Sequence, residues 1–255
     1  MSTSISPLPR NAFQRSLYSV SPGDNFRAEF QANFARAKQA MQVGAQDQAD
    51  AALRQTLGET QMESAERRSL DKASEFQFAA LLDKAYANLA LDDPKAFMKT
   101  LNASELEQLR VQHGLADDIL VEGLSREGAT NLLLPKGYSV DLNADGMIET
   151  GSGRLGGFFP PRNAPDALKT AWFTATEKMD DGAVMTYGLM MHDAVYGVHI
   201  GGALPQVKPD DQMSTYRDFV ASYLAAIEKD HGYMRPGQYE RDKSFFERLS
   251  GLMKS

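Results

Sequence analysis

The chain has 255 residues, 42% of them hydrophobic, enough to bury the core of one large domain or two small ones. Its formal net charge of −7 and the lack of any long basic run leave nucleic-acid binding without electrostatic support. Cysteine is absent, which excludes disulfides and thiolate metal sites, and no stretch approaches the roughly 20 apolar residues a membrane span needs.

Residues 1–23 are rich in Ser and Pro, with Pro7, Pro9 and Pro22, and read as a mobile arm. Met1 to Val20 holds no continuous apolar segment, so no Sec signal peptide is expected. The chain is then expected in the cytoplasm or exported by a route independent of a signal peptide. In composition this arm resembles the export-competent N-termini of some bacterial type III secreted proteins.

The remainder predicts an all-α, multi-helix bundle of about nine helices, with at most a minor short strand pair. A first helix is expected from Asp24, with Phe26, Phe30, Phe34, Ala37 and Met41 as its apolar stripe and Gly44 at its end. A second runs from about Asp47 to Gly58. The pair resembles a tetratricopeptide hairpin, although no repeat of fixed period follows. A long third helix is predicted over Met62 to Leu91. Asp93-Pro94 starts a short helix through Leu101. Asn102 and Glu105 have capping-box spacing, and Gly114 stops the helix they open. Another helix is expected over Ala116 to Leu124, and Asn131 to Leu134 reads as an apolar lead into the segment that follows.

After a Gly- and Pro-rich connector at 151–161, Asn163 is expected to cap a helix through Trp172 to Met179. Ala183 to Ala194 predicts a buried helix, and Tyr196 to Ile200 a short strand or irregular end. Helices from about Asp211 to His231 and from Tyr239 onward complete the chain. A division near residue 125 is suggested, with 24–125 a helical bundle and 126–255 a C-terminal helical part, the two allowed to form one continuous domain.

One stretch asks for a particular chemistry. In Asp141-Leu142-Asn143-Ala144-Asp145-Gly146-Met147-Ile148-Glu149 every second side chain from Asp141 to Asp145 carries oxygen. Gly146 permits a sharp turn and Ile148 offers an apolar anchor. This spacing wraps oxygens around a hard cation. The nine residues resemble the EF-hand calcium loop, in the Asp-x-Asn-x-Asp-Gly-x-Ile form of dockerin modules and other bacterial EF-hand-like proteins. The resemblance implies Ca²⁺ as cofactor, with Asp141, Asn143 and Asp145 giving side-chain oxygens, Met147 its backbone carbonyl, and Glu149 acting directly or through water. Position 12, a bidentate carboxylate in the family pattern, is Ser152 here, and the helix that should leave the loop is delayed to about Asn163. Glu149 swinging in, a carboxylate from elsewhere, or a water would have to complete the shell.

Other patterns carry less. Gly151-x-Gly153-x-x-Gly156 formally matches a dinucleotide fingerprint but precedes Phe-Phe-Pro-Pro rather than a helix, so it reads as a connector. His192, Asp193 and His199 have the residue types for a hydrolytic or Zn²⁺ role, but Gly197 interrupts the helix that would align them. They read as core or interface residues. His113 and His231 read as helix C-terminal residues favoured by the dipole. Met185, Met190 and Met191 with Phe158, Phe159 and Trp172 have the makings of an adaptable groove, and equally of ordinary core, which we favour. The Asp pairs at 92–93, 117–118, 180–181 and 210–211 read mainly as helix caps.

The expectation is therefore a calcium-binding helical protein, more a non-enzymatic one than an enzyme, whose Ca²⁺ orders the C-terminal half for a protein interaction. The alternatives are a hydrolase-type enzyme centred on His192, Asp193 and His199 with structural Ca²⁺, and an exported bacterial effector or surface-interaction protein.

Overall fold

A computed structural model describes residues 22–155, 159–197 and 207–254. The fold is all-α: eleven α-helices and one two-stranded antiparallel sheet among the described residues. No helix among them is long and apolar enough to cross a membrane. Residues 1–21 of the expected arm, Phe158, His199 and residues 198–200 of the strand or irregular end expected from Tyr196 lie outside the described residues, and Tyr196 itself ends a helix.

Contacts divide the chain into two compact units. Residues 22–143 and 147–155 belong to one; 144–146, 159–197 and 207–254 belong to the other. The grouping thus places 126–143 with the N-terminal helices, whereas the sequence suggested a division near residue 125.

The N-terminal unit opens with α1 (Phe26–Gln42) and α2 (Gln46–Leu57), the hairpin read from the stripe of Phe30, Phe34 and Ala37. Gly44 turns the chain between them at φ 71°, a conformation that costs glycine least. The long helix predicted over 62–91 is two helices, α3 (Glu59–Arg67) and α4 (Lys72–Ala87). Ser69 adopts φ 55°, the Leu70 N–H reaches back to the Ala65 carbonyl and the Ser69 N–H to Glu66. This is a Schellman ending, and Asp71 then caps α4 by accepting from the Ser74 N–H at 2.7 Å.

α5 (Pro94–Met98) starts as expected, with Asp93 accepting from the Ala96 N–H. α6 (Ala103–His113) carries the full capping box of Asn102 and Glu105 and ends at Gly114, φ 67°. The helix expected over 116–124 is only a 3₁₀ turn at Val121–Gly123. Conversely, the supposed lead at 131–134 is the end of α7 (Arg126–Leu132), whose cap Ser125 accepts from the Gly128 N–H. The strand pair is β1 (Ile148–Thr150) with β2 (Gly153–Leu155), in register Ile148↔Leu155 and Glu149↔Arg154. The core gathers Phe34, Leu57, Phe78, Leu82, Met98, Leu109 and Leu132. The Tyr86 hydroxyl, buried beneath it, donates to the Leu133 carbonyl at 2.7 Å.

The C-terminal unit holds α8 (Asp166–Thr176), α9 (Asp181–Tyr196), α10 (Met213–Asp230) and α11 (Gln238–Leu252). Asn163 does not cap α8, which begins after Pro165; its amide donates to Asp210 at 3.2 Å. Asp180 caps α9 through the Ala183 N–H. Trp172, Tyr216, Phe246 and Leu249 fill the core, and Phe159 meets the Trp172 ring edge-on at 4.6 Å. The bulk of Trp172, Phe159 and Met191 is thus ordinary core, while Met185 stays exposed.

Candidate functional site

α7 organises the segment that leads into and out of the acidic loop. Four residues of its first turns and cap act on that segment. Glu127 and Asn131 stand four apart, so they share one helix face. The buried Glu127 carboxylate accepts from the Leu142 N–H at 2.8 Å with one oxygen and from the Glu149 N–H at 2.9 Å with the other. The Asn131 amide donates to the carbonyls of Val140 (2.8 Å) and Glu149 (2.7 Å), and its oxygen accepts from the Val140 N–H at 2.8 Å. Two side chains therefore satisfy backbone groups on both limbs of the loop, replacing the ladder that a sheet would supply. Gly128 completes the frame. Its carbonyl accepts from the Gly151 N–H at 3.0 Å, and a Cβ there would meet the Gly151 carbonyl oxygen inside any tolerated contact distance.

The sequence-predicted ligands fall as follows. Asp141, position 1, is buried; Asn143 is exposed; Asp145 and Met147 are half-buried. All four have interaction partners. Ala144 at φ 54° and Gly146 at φ 77° give the loop two left-handed residues. Gly146 has a second constraint within the C-terminal unit, because a Cβ on it would approach the Tyr196 ring to 2.7 Å. Ile148 is buried as the anchor should be. Glu149 is buried too, but its carboxylate is already engaged: it accepts from the Ser125 hydroxyl and forms an ion pair with Arg154, its cross-strand partner.

These donors are carboxylate, amide and backbone carbonyl oxygens, the set that suits Ca²⁺ or Mg²⁺ rather than Zn²⁺. Among the described residues no three or more His, Asp or Glu side chains gather in a group able to hold a metal. No family model matches the chain, and neither a curated protein nor a solved structure matches it.

His192 is buried, as a core residue would be, whereas His113 departs from its expected role. His192 lies buried in α9 with its ring 4.7 Å from that of Tyr196, and among the described residues neither ring nitrogen has a hydrogen-bond partner. Its neighbour Asp193 is 3.7 Å away. His113 is not a charged residue favoured by the α6 dipole. It is buried against Phe78, its Nε2–H donates to the Leu132 carbonyl at 3.1 Å, and burial pushes its pKa down to about 3. His231 is exposed in the 3₁₀ turn that ends α10.

Sequence reading missed Ser125, Glu127 and Asn131. The signal was present: Ser125-Arg126-Glu127-Gly128 begins with a good N-cap residue. The short α7 offered too few turns for a periodic stripe to announce it.

Proposed function

We propose that the chain is a non-enzymatic, calcium-binding helical protein in which Ca²⁺ held by the 141–149 loop orders the C-terminal half for contact with a protein partner. The observation that carries the reading is the Asp-x-Asn-x-Asp-Gly spacing. Asp141, Asn143 and Asp145 would hold the ion by side-chain oxygens and Met147 by its carbonyl. Glu149 would act through a water, consistent with a carboxylate already shared with Ser125 and Arg154. The α7 frame supports this reading because a loop whose limbs are already fixed loses less conformational entropy when an ion binds. With Ser152 at position 12 the shell lacks a bidentate carboxylate, so the affinity belongs at the weak, millimolar end of such loops.

The test is thermal unfolding of the full chain in EDTA, in excess Mg²⁺, and across a Ca²⁺ titration, with Asp145→Ala alongside. The expected result is a Ca²⁺-specific rise in Tm of the wild-type chain that the variant lacks. An unchanged Tm at several millimolar Ca²⁺ would sink the proposal.

A further inference from the structure

A cavity of about 550 Å³ opens in the C-terminal unit between the N-terminal half of α9, the middle of α10 and the start of α11. Its size lies within the roughly 300–1,000 Å³ typical of small-molecule sites. Its walls include Tyr187, Met190 and Tyr223, and Asp242 forms part of its lining. Asp242 is buried, and its hydrogen-bonding capacity is largely spent. One oxygen accepts from the Tyr187 hydroxyl at 2.8 Å; the other accepts from the Tyr223 hydroxyl at 2.9 Å and from the Gln238 amide at 3.4 Å. Both phenols are thereby tied down and kept neutral, with burial and the Asp242 carboxylate pushing Tyr223 up to about 12 and Tyr187 higher still. Tyr187 is further fixed by stacking on Phe245, centroids 4.1 Å apart and planes within 12°. The aromatic walls are set before anything binds.

Arg235 and Arg241 also line this cavity. Both are exposed, and neither is in an ion pair among the described residues. Two guanidiniums therefore face one carboxylate that three neutral donors already satisfy. The cavity carries surplus positive charge in a chain whose net charge is −7. Guanidinium forks favour carboxylate, sulfonate and phosphate oxygens.

The geometry points to this cavity as a binding site for a small organic anion with a flat apolar body. The body lies against Tyr187, Met190 and Tyr223, and the anionic group is taken by Arg235 and Arg241. Asp242 is a positioning residue that holds the two rings. The site is independent of the calcium loop, so it is tested with EDTA present throughout.

The probe is anilinonaphthalene sulfonate, followed by its fluorescence on the full chain, with uncharged N-phenylnaphthylamine as the neutral counterpart. The expected result is one saturable sulfonate site per chain. The Arg235→Ala/Arg241→Ala double variant weakens it by at least about tenfold, as loss of charge-assisted bonds predicts, while leaving Tm and binding of the neutral probe unchanged. Thr186→Trp, an exposed lining position, blocks both probes. Unsaturable binding would overturn the inference. Equal sulfonate affinity in the double variant, or parallel losses for both probes in it, would overturn it as well.

Discussion

At the scale of single residues, two side chains of α7, Glu127 and Asn131, hold backbone groups on both limbs of the acidic loop. Glu127 satisfies two backbone N–H groups that are ten positions or less from each other in the chain, Leu142 and Glu149. Replacing it with Ala leaves both donors without their acceptor, at about 1–3 kcal/mol each where water cannot reach. Glu127→Ala is therefore expected to lower unfolding free energy by about 2–4 kcal/mol in urea titrations, and to accelerate hydrogen exchange at the Leu142 and Glu149 amides. Unchanged protection at those amides would contradict the assigned role. Gly128→Ala should be at least as damaging, about 2 kcal/mol or more, because its clash is with backbone and no side chain can step aside.

At the scale of elements, the helix ends explain why the predicted long helix is two. α3 and α4 both end in Schellman turns whose left-handed residue is not glycine: Ser69 at φ 55° and Leu89 at φ 53°. Leu89 sends its N–H to Tyr86, and Ala90 closes the turn on Ala85. Both left-handed residues are exposed, so little packing is lost on replacing them. A left-handed L-residue costs about 1–2 kcal/mol, of which glycine's added chain entropy takes back about half. Ser69→Gly and Leu89→Gly should each stabilise the protein by about 0.5–1 kcal/mol, seen as a higher denaturation midpoint without a change in m-value. A loss of stability in Ser69→Gly would show that the break between α3 and α4 is held by something other than this turn.

At the scale of the whole molecule, buried ionisable groups set the pH dependence of stability. His113 titrates at about 3 in the folded protein against an ordinary 6.5. Below pH 6.5 the unfolded chain takes up a proton that the folded chain refuses. The contribution of neutral His113 is thus complete above pH 6.5 and is lost as pH falls from 6.5 towards 3, by about 1.4 kcal/mol per unit. His113→Gln, which keeps a donor for the Leu132 carbonyl, should flatten the Tm profile between pH 6.5 and 4. Lys136 acts with the same sign at the alkaline end of the same unit. Burial, reinforced by Arg68 and Arg67, lowers it from 10.5 to about 8, although its amine donates to the Ser64 hydroxyl at 3.0 Å. The unfolded chain therefore holds an extra proton between pH 8 and 10.5, and the penalty of burying the ammonium is full below pH 8. Lys136→Met should raise Tm at neutral pH, with the advantage shrinking as pH approaches 10.5.

Local chemistry made much of this molecule legible without coordinates. Asp93-Pro94, the Asn102 and Glu105 capping box, and the stops at Gly44, Gly58 and Gly114 each act within a few residues, so their positions follow from sequence alone. The Asp141-x-Asn143-x-Asp145-Gly146 spacing is local in the same sense. What tertiary structure decided involves partners distant in the chain. The break after Arg67 needed a left-handed serine, which pattern does not announce. α7 is too short for periodicity, and its worth lies in contacts to residues 9–23 positions away. The Asp242 cavity joins α9 to α11 across 55 residues, from Tyr187 to its carboxylate. Hydrophobic patterning can place each helix face toward a core, but only the packed chain selects which polar side chains meet there, because burial makes each unpaired group costly and so leaves few arrangements open.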